Sequence, residues 1–211
     1  MSRDPYARPG WLRFGVIGPV LALLVVIGLL VANLTEDSSD SPDEISQSTS
    51  PTVTPERPAD AEIIEGRGYS YALPDEWTDQ TEALRTEGGL PTTDTGAVWG
   101  DDLDDLLANV IVQLGDTTDE TDLESLRSTW EAGLASGNHA RTEVPATSIG
   151  GYDAIGVRLE ESNARGKRVA STAYLVVVDE QTYTIVLSTP PSYEDDALAA
   201  FTTILDSWAW A

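Results

Sequence analysis

Residues 155–187 read IGVRLEESNARGKRVASTAYLVVVDEQTYTIVL, and this stretch decides the fold. Ile155, Val157 and Leu159 alternate with Gly156, Arg158 and Glu160, the period of a strand with one buried face. Asn163 to Lys167 is a polar turn. Val169 to Val178 is a long β-branched and aromatic run, Asp179-Glu180-Gln181 turns it, and Tyr183, Ile185 and Leu187 line the next strand. Connections this short join antiparallel neighbours, because a parallel pair needs a crossover of a dozen residues or more. The stretch predicts an antiparallel meander.

Working backwards, Gly150-Gly151 is a turn preceded by a weaker strand, Glu143 to Ile149. Before that, Leu123, Leu126, Trp130 and Leu134 recur at helical spacing, with Thr121 and Glu124 as a capping-box pattern and Gly137 as a stop. Asn109 to Leu114 is an apolar strand, and Ala97 to Gly100 a short one. Tyr69, Tyr71 and Leu73 form an opening strand that Pro74 ends. Forwards, Pro190-Pro191 breaks the meander. A final helix is expected from Ser192 as N-cap, with Leu198, Phe201, Ile204, Leu205 and Trp208 as its apolar stripe. The expected class is α+β, an antiparallel β-sheet packed with at least two α-helices over residues 63–211.

The order of these elements carries a resemblance. Gly68-Tyr69-Ser70-Tyr71-Ala72-Leu73-Pro74-Asp75-Glu76-Trp77, then the helix, the meander and a terminal helix ending in Trp208 and Trp210, resembles PsbP-like domains. It is similar also to the LpqN-type envelope lipoproteins of high-GC Gram-positive bacteria. The resemblance implies the α+β fold and, from relatives that serve photosystem assembly or bind a small GTPase, protein recognition. It transfers no site residue, and the chain lacks the lipid-bearing Cys of the lipoproteins.

The N-terminal quarter has another composition. Phe14 to Ala32 is a run of nineteen uncharged, mostly apolar residues. As a helix it spans roughly 28 Å, matching a bilayer core. Arg3, Arg8 and Arg13 precede it and Glu36, Asp37 and Asp40 follow. The positive-inside rule then places residues 1–13 in the cytoplasm and the rest outside, on a transmembrane helix 14–32. A cleaved signal peptide is the rival, but its apolar region would be shorter, about 7–15 residues, and the nearest site, after Ala32, has Leu30 two residues earlier, a poor match to the small-residue pattern. Residues 33–62 are dominated by Ser, Thr, Pro and acids and carry too little apolar surface to fold, so they form a tether.

Charge and cysteine count exclude whole classes. The chain carries −24 overall, with +2 in residues 1–13 and −7 in 33–62, leaving −19 for residues 63–211. Such a body repels phosphate backbones, so nucleic acid is not an expected partner. Zero cysteines exclude disulfides, thiol catalysis and zinc–thiolate sites.

Candidate chemistry is thin. His139 is the sole histidine, with no Gly-x-Ser-x-Gly elbow to complete a triad, and is expected past a helix end. Asp94-Thr95-Gly96 matches an aspartic-protease triplet, but that chemistry needs two carboxylates sharing a proton, and the expected role is a turn. Asp101, Asp102, Asp104 and Asp105 gather hard oxygens suited to calcium, without the EF-hand order, and Asp116 to Asp122 is a second acidic stretch. Arg165, Lys167 and Arg168 cluster on a hairpin turn of an acidic body and are the candidate contact for an anionic partner. Trp77, Trp99 and Trp210 are candidates for a groove or for aromatic packing.

The reading that follows is a non-enzymatic, single-pass, extracytoplasmic module with an envelope protein as partner and no cofactor. The alternatives are a small-ligand or calcium sensor and, behind it, a hydrolase built on a carboxylate pair.

Overall fold

The structure is a computed structural model that describes residues 55, 57–100, 103, 106–134, 140–162 and 166–211. The predicted anchor 14–32 and most of the tether lie outside the described residues. No helix among the described residues is long and apolar enough to cross a membrane.

The predicted meander is present. Strands β6 (Ala140–Ile149), β7 (Tyr152–Ser162), β8 (Arg168–Val178) and β9 (Gln181–Thr189) pair in sequence order, each antiparallel to the last. Gly150 and Gly151 make the first turn with φ of 57° and 93°, the positive pair that a tight hairpin requires. Asp179 and Glu180 take φ of 48° and 67° between β8 and β9, so the same geometry is imposed on two non-glycine residues there.

Three earlier strands complete the sheet: β3 (Trp77–Asp79), β4 (Thr93–Trp99) and β5 (Ala108–Thr117). The seven-stranded order is β3-β4-β5-β9-β8-β7-β6. Helix α2 (Leu123–Leu134) therefore carries the chain from β5, beside the central strand β9, to the far edge, β6, and lies across one face on the way. A smaller sheet, order β1-β2-β10, joins β1 (Ile63–Gly66) and β2 (Tyr69–Ala72) to the chain's last strand, β10 (Ala209–Trp210). Trp210 pairs with Tyr69, so the two ends of the domain close on each other.

Alternation assigns the faces. Val110 and Val112 of β5, Ile185 and Leu187 of β9 and Val176 of β8 face one side. There they meet the small sheet and helix α3 (Glu194–Asp206), through Tyr69, Tyr71, Phe201, Ile204 and Trp208. The opposite face is shared. Helix α1 (Thr81–Thr86) brings Leu84 onto Val98 and Ile111, while Leu134 and Trp130 of α2 pack on Val157, Leu159, Ala173 and Val186.

Several local expectations need correction. Helix α2 is capped by Asp122 rather than Thr121: its Oδ1 accepts the Glu124 N–H at 3.1 Å. Ser192 sits in a 3-10 turn, Pro191–Tyr193, and α3 starts at Glu194 without a side-chain cap bond. Glu194, Asp195 and Asp196 in its first turn complement the helix dipole instead. Strand β4 begins at Thr93, well before Ala97. Helix α1 and strand β10 were not expected, each being too short to show a period.

Candidate functional site

Helix α2 does not lie flush on the sheet. Leu126, Thr129, Trp130 and Gly133 share one helix face, spaced three and four apart. Opposite them stand Leu175 of β8, Thr182 and Thr184 of β9, and Gly115 and Asp116 at the end of β5. Between the two walls is a pocket of about 140 Å³, lined mostly by carbon.

Each wall is fixed by its own chemistry. Leu175 and Thr184 are register partners, so they stand side by side on the sheet floor. The Trp130 indole N–H donates to Thr184 Oγ1 at 3.1 Å, which holds the ring over the floor. Gly115 is required: a Cβ there would meet Thr182 Oγ1 at 2.4 Å. Gln181 Nε2 donates to the Gly115 carbonyl at 2.7 Å, and Thr182 Oγ1 donates to the Asp116 carbonyl at 2.7 Å, tying β5 to β9 where its ladder is irregular. Gly133 is different, because a Cβ there would meet nothing within 4 Å. Its missing side chain leaves space in the pocket.

The sequence candidates are distributed elsewhere. Lys167 and Arg168 are exposed at the β7–β8 hairpin, and Arg165 lies outside the described residues. The hairpin and the pocket lie toward opposite ends of β8: Arg168 to Leu175 is about 23 Å along a strand. Asp101, Asp102, Asp104 and Asp105 fall outside the described residues, as does His139. Among the described residues no three His, Cys, Asp or Glu side chains are placed to hold a metal ion. Trp77 stacks on Trp99 with ring centroids 6.4 Å apart, and Trp210 packs on Tyr183 and Trp208. These tryptophans are packing.

Asp94 overturns the turn expectation. It lies inside β4, its side chain 3% exposed, and accepts from Arg67 Nε at 2.7 Å, the Arg67 N–H at 2.9 Å and the Tyr69 hydroxyl at 2.9 Å. Burial pushes its carboxyl up, but those donors, led by Arg67, outweigh burial and hold it below the ordinary aspartate range. A general acid needs the opposite shift. Tyr69 and Tyr71 are held protonated by burial, and both hydroxyls also reach Thr95 Oγ1, at 2.8 and 3.2 Å. The cluster rivets the small sheet to the large one. Nothing local announced it, since Arg67 and Asp94 are ordinary surface types until folding brings them together.

No protein-family model matches the chain, and no curated protein matches it in sequence. Solved structures do. LpqN of Mycobacterium tuberculosis, described as involved in cell envelope biogenesis, aligns at 16% identity over 71% of this chain and 84% of its own, with a TM-score of 0.50. The cyanobacterial PsbP (CyanoP) of Synechocystis sp. PCC 6803 aligns at 15% identity over 75% and 94%, TM-score 0.46. The Saccharomyces cerevisiae Ran-binding protein Mog1p aligns at 12% over 71% and 95%, TM-score 0.45. The likeness to LpqN establishes the fold, in agreement with the resemblance carried by the sequence, and the fold alone.

Proposed function

We propose that this chain is a membrane-tethered, extracytoplasmic binding protein that recognises another protein of the cell envelope and catalyses no reaction. One observation carries the reading. The open pocket is walled by carbon, whereas the strongly held charges, Asp94 with Arg67 and Arg158 with Glu194, are bound to each other. A site of that kind offers contact area and shape, which serve recognition, rather than a shifted acid and base, which serve catalysis. The envelope address rests on the apolar run 14–32, the arginines before it and the acidic tether after it. The involvement of LpqN in envelope biogenesis agrees with that address. Arg165, Lys167 and Arg168 are proposed as a second contact, for an anionic surface of the same or another partner.

The test is capture from detergent-solubilised envelope by the full chain, run beside Gly133→Leu and a charge reversal of Arg165, Lys167 and Arg168. A saturable partner lost with either change supports the reading and locates the surface. A blank, or a partner retained by both variants, counts against it.

A further inference from the structure

The pocket's size limits what enters it. A cavity near 150 Å³ holds one benzene, whereas pockets for drug-sized ligands run from about 300 to 1,000 Å³. At about 140 Å³, the space beneath α2 fits one aromatic ring or one branched alkyl group. It is too small for a nucleotide or a cofactor and has the dimensions of a socket for a single anchoring side chain.

Its surroundings carry a sign. Asp116 is on the rim itself. The chain from there into α2 adds Asp119, Glu120, Asp122 and Glu124 with no Lys or Arg among them. The β8–β9 turn brings Asp179 and Glu180 to the same end of the sheet, where the Thr118 N–H donates to the Glu180 carbonyl at 2.7 Å. Arg127, the one cation of α2, pairs with Glu124 at 2.6 Å and Glu131 at 3.3 Å, so Arg127 and Glu124 cancel and the excess negative charge rests on Asp116, Asp119, Glu120, Asp122, Asp179 and Glu180. The α2 N-terminus offsets only about half a charge. The mouth is therefore strongly negative.

Gly133 supplies a third observation. Glycine inside a helix costs about 1 kcal/mol relative to alanine. Here no close approach demands it, since a Cβ would meet nothing within 4 Å. What its absent side chain provides is room in the socket.

We propose that the α2 pocket is the anchor site for one leucine- or phenylalanine-sized side chain carried on a basic segment of a partner protein. This rests on the binding-protein reading and names the chemistry of its partner. The apolar anchor gives the contact its grip, and the negative mouth steers and selects lysine- and arginine-bearing segments.

The experiment uses the full chain in detergent micelles and follows the Trp130 indole N–H resonance. Four peptides are titrated: a phenylalanine flanked by four lysines, an alanine in the same frame, the phenylalanine flanked by four glutamates, and the phenylalanine flanked by four serines. The lysine-flanked phenylalanine is expected to bind at least tenfold tighter than the alanine and glutamate peptides. Its advantage over the serine peptide is expected to shrink in Asp116→Asn. Gly133→Leu is expected to abolish the shift, and Gly133→Ala, which keeps the helix intact, to weaken it.

Equal binding of the lysine, serine and glutamate peptides overturns the charge selection while leaving a binding pocket. Equal binding of the phenylalanine and alanine peptides overturns the anchor, because the contact is then charge alone. Absence of any shift with all four overturns this proposal, and a capture partner that survives Gly133→Leu but is lost with the charge reversal of Arg165, Lys167 and Arg168 would then keep the binding-protein reading on that other surface.

Discussion

The Arg67 guanidinium and the Asp94 carboxylate meet at 2.7 Å across the gap between the two sheets, 27 residues apart in the chain. Arg67 leads out of β1 toward β2 and is largely exposed, whereas Asp94 is buried in β4. The pair is thus a buried acceptor reached by a donor from the surface.

Replacing Asp94 by Asn keeps the shape and removes the charge. The Tyr69 hydroxyl retains Thr95, and the exposed Arg67 returns to water, which limits the loss. The expected destabilisation is about 1–3 kcal/mol at neutral pH, measured by denaturant unfolding.

The same carboxyl sets a pH dependence. Its folded pKa lies below the ordinary value of 3.8, so the folded state binds fewer protons than the unfolded state in that range. The stabilisation is complete above about pH 4 and is lost as the pH falls through the lower folded value. Wild type and Asp94→Asn should therefore converge in stability at strongly acidic pH. A gap that stays constant down to pH 2 would show that Asp94 acts without its charge.

Arg158 of β7 grips Glu194 in the first turn of α3 through two bonds, 2.5 and 2.9 Å, with Glu160 at 2.8 Å. Both partners are partly buried, and Glu194 is held below the ordinary range by Arg158. Arg158→Met should cost about 1–3 kcal/mol and loosen the start of α3. Hydrogen exchange of that helix's first turn reads the effect apart from global stability.

Gly133→Ala should raise stability by about 0.5–1 kcal/mol, because helix propensity improves and the new methyl meets nothing within 4 Å. A lowered melting temperature would mean that the pocket is narrower than the geometry gives.

Trp208 is 1% exposed and stacks on both Tyr69 and Tyr71, with centroids 4.7 and 5.0 Å away. Trp208→Ala should cost about 3–5 kcal/mol and detach the small sheet. Limited proteolysis near residues 63–73 would report that detachment.

The meander, the two longer helices and the α+β class were legible in the sequence. Each is written in local pattern: alternation in Ile155, Val157 and Leu159, helical spacing in Leu123, Leu126, Trp130 and Leu134, and turn residues between them. The short elements left no such trace. The six residues of α1 and the two of β10 are fewer than a period needs, and their partners, Val98 and Tyr69, lie in other segments. The site was hidden for the same reason. Thr184 and Trp130 are 54 residues apart, and their sequence neighbours say nothing of the bond between them. Sequence alone determined what depends on residues two to four apart: strand, helix, turn and the charge of each segment. Tertiary structure alone decided that β5 lies beside β9, that Asp94 is buried against Arg67, and that α2 rests on the sheet with a gap beneath Gly133. Those outcomes follow from which distant apolar faces cover one another, a choice made by packing the whole chain at once.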